Sequence, residues 1–394
     1  MNAPGAGPGF YDAAPMALDR AAGWRYVAAR GEVFVAEGLW YLTSDEAVRF
    51  AQQHPEVFSS AEAFVSLGSP VPLIPLAIDP PDHTRYRRVL DPMLAPRVVN
   101  GLEDDLRRQV GALIDAFAGR GSCDVVGDLA RLYPTQVIMT LFGLPLEDRD
   151  RFIAWTEVLV EGSVTRAEAP TPARAEAGLA LYLYLQEVVA RKRASPSDDM
   201  LGRVLALTGE RAWTDDEVLG LCFLFTLAGL DTVTAAIGFV LLHLARDHDL
   251  RRRVVAAPEL VGPLVEEVLR LELPAPMTIR VTTRDVAVCG VTIPAGSRVL
   301  LCLATANRDP ARGPRTDEID LAQADRGHLS FGGGIHRCIG SHLARRELAL
   351  VIEEFHRRIP DYRIADGYEP RIVWPSGTLH LERLPLVFAP VGSR

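Results

Sequence analysis

One of the five cysteines sits in an unusual setting. The stretch Phe331-Gly332-Gly333-Gly334-Ile335-His336-Arg337-Cys338-Ile339-Gly340 puts Cys338 just behind three consecutive glycines. It also puts Cys338 at the start of an apolar-periodic segment running from about Ile339 to Arg358, which reads as a helix. Glycines open backbone conformations that other residues avoid. Unpaired N–H groups and the dipole at a helix N-terminus stabilise an anion. Cys338 should therefore ionise more readily than Cys123, Cys222, Cys289 or Cys302. Residue chemistry leaves two uses open for it, a nucleophile or a soft ligand for a metal. The plain alternative is a buried structural cysteine.

A second setting is as unusual. From Phe223 to Leu242 the chain is nearly apolar for twenty residues, yet Asp231 and Thr232 stand side by side at its middle. That length could cross a bilayer. It would be a lone span in mid-chain, however, with no cluster of basic residues close by to stop transfer. Thr214-Asp215-Asp216-Glu217 offers a capping box just upstream, and no proline interrupts the pattern before about Arg246. Roughly thirty residues at ~1.5 Å each give ~45 Å, the width of a whole domain. The expectation is a buried central helix. Its acid and alcohol then either face a reaction cavity, or pair with an arginine and with the helix backbone. Two further pairs have helical spacing, Glu267 with Arg270 and His83 with Arg87. Taken alone, each reads as a solvated surface pair.

The elements that must position these residues are mostly helical. Apolar spacings of three and four recur in 100–117, 125–143, 176–192, 214–246 and 259–271, and most of the chain up to Pro274 reads as helix. The run Val286–Leu303 has short β-rich pieces separated by Gly290 and by Pro294-Ala295-Gly296, which reads as a small antiparallel sheet. A loop rich in Asp, Arg and Gly follows from Ala304 to Leu329, and a loop of that length is functional or scaffolded. The tail, with Pro370, Pro375, Gly377 and Pro385, reads as hairpins. The expected class is α+β with helix dominant, one folding unit over 1–394 with a flexible stretch at 1–15.

The chain has 394 residues, 48% hydrophobic, with a net charge of −9. It carries no Lys/Arg run longer than three residues, so general nucleic-acid affinity is not expected. Lys192 is its one lysine. The cysteines form no CxxC pair, which fits a reducing cytoplasm. The N-terminus has no basic region followed by an apolar one, so no signal peptide is read there.

Phe331 to Gly340 resembles the haem-binding signature of the cytochrome P450 superfamily, F-x-x-G-x-x-x-C-x-G, in particular that of its soluble bacterial members. Three other motifs occur in the family's order, so the likeness covers essentially the whole chain. The resemblance implies a haem b cofactor (iron protoporphyrin IX) with Cys338 as the proximal thiolate on its iron. It implies that Phe331 shields the sulfur and that Gly332 and Gly340 let backbone N–H groups approach it. Ala228-Gly229-Leu230-Asp231-Thr232 is similar to the family's oxygen-activation motif. There Ala228 and Gly229 leave room for dioxygen, Asp231 relays protons, and Thr232 returns its hydroxyl to a carbonyl near Ala228, locally opening the helix. Glu267 and Arg270 match the family's E-x-x-R pair, buried behind the haem. His83, Arg87, Arg280 and His336 resemble its propionate-binding positions. One departure stands out: related sequences carry an arginine in the long loop where this chain has Glu318, with Arg312 and Arg315 as candidate replacements.

The family's substrate segments map here onto Val71, Leu73, Leu76, Leu224, Leu227, Ala275, Met277, Ile279 and Leu379, which implies an apolar organic substrate. Arg337, Arg345 and Arg346, with Arg97, Arg107 and Arg108 nearby, suggest a basic face for an acidic [2Fe-2S]-type or similar ferredoxin. No G-x-G-x-x-G fingerprint is present, so the reductase is expected to be a separate protein. The function so implied is a cytoplasmic haem-thiolate monooxygenase that binds dioxygen, with no nucleic-acid or membrane partner. The alternatives are a haem peroxygenase or isomerase, and a non-catalytic haem-binding sensor.

Overall fold

A computed structural model describes residues 10–17, 19–63, 69–160, 171–314 and 317–392. Its organising element is the helix Asp215–Arg246. The capping box expected at its start is formed: Thr214 Oγ1 accepts from the Glu217 amide at 3.2 Å, and Glu217 Oε2 accepts from the Thr214 amide at 2.7 Å. This satisfies two of the N–H groups that a helix start leaves unpaired. The helix is apolar on all sides because other helices surround it. Leu132–Leu141, Arg149–Val160, Pro172–Ala194, Val261–Leu271 and Ser341–Arg358 all pack on it. It is long and apolar enough to cross a membrane, but 72% of its most apolar window is buried inside the fold. Glu103–Ala118 packs in turn on Ser341–Arg358.

The sheets stand to one side. Five strands run in the order Val33–Ala36, Leu39–Leu42, Arg298–Cys302, Met277–Thr282, Phe58–Ser59. All neighbours are antiparallel except Leu39–Leu42 with Arg298–Cys302, which are parallel. Two readings of the sequence need correction here. The hairpin Val33–Leu42 lies in a region read as mostly helix. Its two-residue turn, Glu37 (φ 54°) and Gly38 (φ 77°), is of the kind that matches strand twist. The run Val286–Leu303 does not make one small sheet. Among the described residues Val286–Val288 pairs only with Val291–Ile293, while Arg298–Cys302 joins the larger mixed sheet.

The long loop after the sheet is scaffolded by short turns, Leu303–Ala306, Pro310–Arg312 and Leu321–Arg326. Asn307 ties both ends of it down. Its Oδ1 accepts from the Leu329 amide at 2.7 Å, and its Nδ2 donates to the Arg270 carbonyl at 3.1 Å.

Candidate active site: a cysteine cavity and two faces of one helix

The glycine run before Cys338 is required by close approach as well as by backbone angle. Gly332 and Gly334 have φ of 65° and 62°, and a Cβ on Gly334 would stand 2.0 Å from the Gln52 carbonyl oxygen. The helix Asp45–Gln53 thus presses on this loop and fixes where the cysteine emerges. The Cys338 amide donates to the Phe331 carbonyl at 2.8 Å, which closes the loop on itself. Phe331 in turn lies beneath the Arg345 guanidinium, 4.3 Å from the ring centroid.

The side chain of Cys338 opens onto a cavity of about 260 Å³. It is accessible within that cavity yet lies deep in the protein mass. Burial therefore pushes its thiol up, and this outweighs the Gly340 N–H donated to the sulfur and the charges of Arg87, Arg337 and Arg345. The expected ease of ionisation is thus not realised in the polypeptide alone. A metal cation at the sulfur would supply the missing positive charge. Cys222 and Cys123 are pushed up to about 12 by burial and are inert structural thiols.

Across the cavity from Cys338 stands the central helix. Leu224, Phe225, Ala228, Gly229, Thr232, Val233 and Ala236 line the cavity, a single face at helical spacing. Thr232 Oγ1 donates to the Ala228 carbonyl at 2.8 Å, as the sequence suggested. The helix nevertheless continues unbroken through this point, so the bond does not open it. Asp231 faces the other way. With Leu230 and Thr234 it lines a separate cavity of about 410 Å³, together with Arg131, Thr135, Glu157, Ser376 and His380. Among the described residues, Asp231 Oδ2 is buried and has no hydrogen-bond partner. Arg131 is not its partner, since it pairs with Glu157 at 3.0 Å. The sequence reading did not include Arg131, Thr135, Glu157 and His380, because the residues of this cavity lie scattered over four segments.

Beside the cysteine loop is a cluster of buried donors. The rings of His83 and His336 lie 4.4 Å apart, and the Nε2 atoms of both are buried without a partner among the described residues. Burial, then Arg280, His83 and Arg87, push the His336 imidazole down to about 3. Arg280 is 5% exposed, and its hydrogen-bond partners among the described residues are neutral oxygens: Thr278 Oγ1 at 3.0 Å and the Ile279 carbonyl at 2.7 Å. Burial lowers it to about 10. Arg87 is already engaged by Asp91 at 2.7 Å and by the Arg337 carbonyl at 2.8 Å. Buried polar atoms left unpaired in this way call for an anion. The two carboxylates of a porphyrin are such an anion, and the apolar walls and the thiol of the adjoining cavity suit its ring and metal. The residues present fit haem.

Glu267 and Arg270 form a buried pair at 2.8 and 2.9 Å. The loop reaches this pair through its backbone. Arg270 Nη2 donates to the Glu318 carbonyl at 2.7 Å, and the Asp320 amide donates to Glu267 Oε2 at 2.9 Å. Arg312 is not a replacement for the missing loop arginine, because it bonds Asp45 and the Gly327 carbonyl instead. Arg315 lies outside the described residues.

Of the apolar residues mapped as substrate contacts, Leu224 and Ala275 line the Cys338 cavity. Val71, Leu73, Leu76, Leu227, Met277, Ile279 and Leu379 do not line it and belong to the surrounding apolar core. The arginine face is also reduced. Arg345 bonds Glu266, Arg346 bonds Glu103, Arg107 bonds Glu103, Glu353 and Glu354, and Arg108 bonds Asp105. Arg337 and Arg97 remain exposed without such a carboxylate among the described residues.

Comparison with known proteins decides the family. The family model for cytochrome P450 matches residues 184–359. A probable cytochrome P450 127A1 of Sinorhizobium fredii is 36% identical over 337 residues, covering 84% of this chain and 80% of that protein. The chain belongs to the cytochrome P450 family. This P450 is also 36% identical, over 327 residues, to a vitamin D(3) 25-hydroxylase of Pseudonocardia autotrophica, covering 82% of the chain and 79% of that enzyme. Its fold matches the solved structure of a mutant of P450 EryK in complex with erythromycin B. That match has a TM-score of 0.85 and 28% identity and covers 98% of this chain and 100% of the other. The P450 is therefore an oxidoreductase, a monooxygenase whose cofactor is haem b and which uses dioxygen on an organic substrate.

Proposed function

We propose that the whole chain acts as one cytoplasmic haem-thiolate monooxygenase unit, with Cys338 as the iron ligand and Thr232 and Asp231 as its proton-handling pair. It oxidises an apolar organic molecule with electrons from a ferredoxin and a separate reductase. Bound haem supplies the redox centre at which dioxygen is cleaved and one oxygen atom passes to the substrate. The remaining work falls to side chains. Cys338 gives the sulfur, and the Gly340 N–H stabilises its negative charge. Phe331 and Ile339 keep water from it. His83, Arg87, Arg280 and His336 hold the propionates, and Glu267 with Arg270 fixes the loop behind them.

Asp231 takes a proton from water in the polar cavity it lines. By turning about its Cα–Cβ bond Asp231 carries that proton to a water in the Cys338 cavity, which Thr232 holds by exchanging its bond to the Ala228 carbonyl for one to that water. Leu224, Phe225, Ala275 and Val233 exclude water and orient an apolar substrate. Electrons arrive at the exposed Arg337 side, where a ferredoxin's acidic face meets Arg337 and Arg97. The observation that carries this reading is the position of Thr232 on the cavity wall across from Cys338, with Asp231 behind it.

The test is turnover. NADH, ferredoxin and reductase should sustain oxidation of an apolar substrate by the haem-loaded protein, while peroxide in their place should sustain little. Efficient turnover with peroxide and none with the electron chain would favour a peroxygenase instead.

A further inference from the structure

The wall of the Cys338 cavity contains one ionisable group that the mechanism above does not use. Glu347, on Ser341–Arg358, lines the cavity and is only 2% exposed. Its Oε2 is buried with no hydrogen-bond partner among the described residues. Burial alone holds its carboxyl well above the usual range. Tyr133, on Leu132–Leu141, is 0% exposed, and its hydroxyl is likewise buried and unpartnered among the described residues.

A charge on Glu347 would reach the Tyr133 hydroxyl. Burial pushes the Tyr133 phenol up, a charge on Glu347 pushes it further, and Arg346 and Arg107 pull it down. Arg346 supplies a third buried atom without a partner among the described residues, its Nε, while its guanidinium reaches Glu103. Arg107 bonds Glu103, Glu353 and Glu354. Tyr133 thus lies within electrostatic reach of both this half-exposed network and Glu347 on the cavity wall. The central helix offers Glu347 no counter-charge, since its one charged residue between Glu217 and His243 is Asp231, on the opposite face.

An ionised carboxylate buried without a partner costs several kcal/mol, and a neutral acid far less. Neighbouring unpaired donors and acceptors are what an ordered internal water satisfies. We propose that Glu347 is held as a neutral carboxylic acid, bridged by a buried water to Tyr133, and acts as a proton-bearing positioning residue on the wall of the haem cavity. This rests on haem occupying that cavity. An electron arriving beside a buried carboxylate would be opposed by repulsion in a medium of low dielectric. Beside a neutral acid it is not. The Glu347 proton stays in place on reduction, and it exchanges with solvent through the water and the Tyr133 hydroxyl.

The test uses the haem-loaded protein and infrared difference spectra in H2O and D2O, with Glu347→Gln and Tyr133→Phe. A deuterium-sensitive carbonyl band of a protonated acid should be present in the wild type, absent in E347Q and shifted in Y133F. Because E347Q exchanges one neutral group for another, the midpoint potential at neutral pH should not move. If E347Q does not load haem, E347D should shift the band rather than remove it. The proposal is overturned if no band depends on Glu347, if Y133F leaves the band unmoved, or if the potential rises in E347Q. The ferrous carbon monoxide spectrum of each variant should remain that of the wild type, which separates failure here from failure of the haem assignment.

Discussion

Asp231 and Thr232 are consecutive in the chain and look into different cavities. Thr232 lines the one that holds Cys338, and Asp231 lines the polar one with Arg131, Glu157 and His380. Successive residues on a helix are turned about 100° apart, and here that rotation carries the acid to the other side of the central helix. In the proposed mechanism, then, the acid collects protons on one face and turns to deliver them to a water that the alcohol holds on the other.

The two substitutions should accordingly fail in different ways. In Thr232→Ala the helix stays intact, since alanine is the better helix former. NADH oxidation should continue while product formed per NADH falls several-fold. In Asp231→Asn the supply of protons is lost, so kcat should fall about 100-fold, a typical loss for a general acid–base group. The solvent isotope effect should rise with it. Product yield and steady-state rates in H2O and D2O check both.

Arg280 gives a separate test of the propionate cluster. Arg280→Leu removes the buried guanidinium and leaves a carboxylate of the cofactor unpaired. Breaking a buried charge pair from one side costs about 3–5 kcal/mol. Haem transfer to apomyoglobin should be at least tenfold faster than from the wild type. An Arg88→Leu control changes an exposed arginine instead, and its transfer rate should stay unchanged.

Much of this arrangement was legible in the sequence, and the limits have physical causes. The central helix was legible because a capping box and an unbroken apolar run are local signals. The cysteine loop was legible because a glycine run before a helix start is rare. The face of Asp231 was not, since an acid beside an alcohol carries no statement of what lies on each side. The hairpin Val33–Leu42 was missed although Glu37-Gly38 marks its turn, because four-residue strands are too short for a clear alternation. Glu347 gave no signal at all: a glutamate in a helix is ordinary until its neighbours are known to be Tyr133 and a cavity. The route by which the loop reaches the Glu267–Arg270 pair was not legible, because it runs through the backbone of Glu318 and Asp320, whose side chains say nothing about it.

The pH dependence of stability follows from buried carboxylates. Burial pushes Glu272 up, but Arg20 and His243 more than reverse this and leave it well below the usual range. Glu266 is likewise pushed up by burial but brought to about 2 by Arg345 and His328. A carboxyl depressed in the folded state adds stability that is complete above its unfolded value near 4.5 and is lost as the folded pKa is approached from above. Stability should hold through neutral pH and decline from about pH 4.5 towards about pH 2. Glu272→Gln strands Arg20 and should cost about 3 kcal/mol at pH 7. Urea unfolding followed by circular dichroism across pH checks both.

The arginines around the cysteine should separate by role. Arg337→Glu should slow reduction by a ferredoxin about tenfold at low salt, with the difference shrinking as salt rises. Arg346→Glu should act instead through stability, because Arg346 is tied to Glu103. Stopped-flow reduction at several ionic strengths, alongside urea midpoints, distinguishes the two.

The central claim is that the Cys338 sulfur is the haem-iron ligand. The most direct measurement is the carbon monoxide difference spectrum of the reduced, haem-loaded protein, compared with that of Cys338→His. The wild type should give the strongly red-shifted Soret band of a thiolate-ligated ferrous carbonyl, and the histidine variant should keep haem but lose that shift. A red-shifted band that persists in C338H would contradict the assignment.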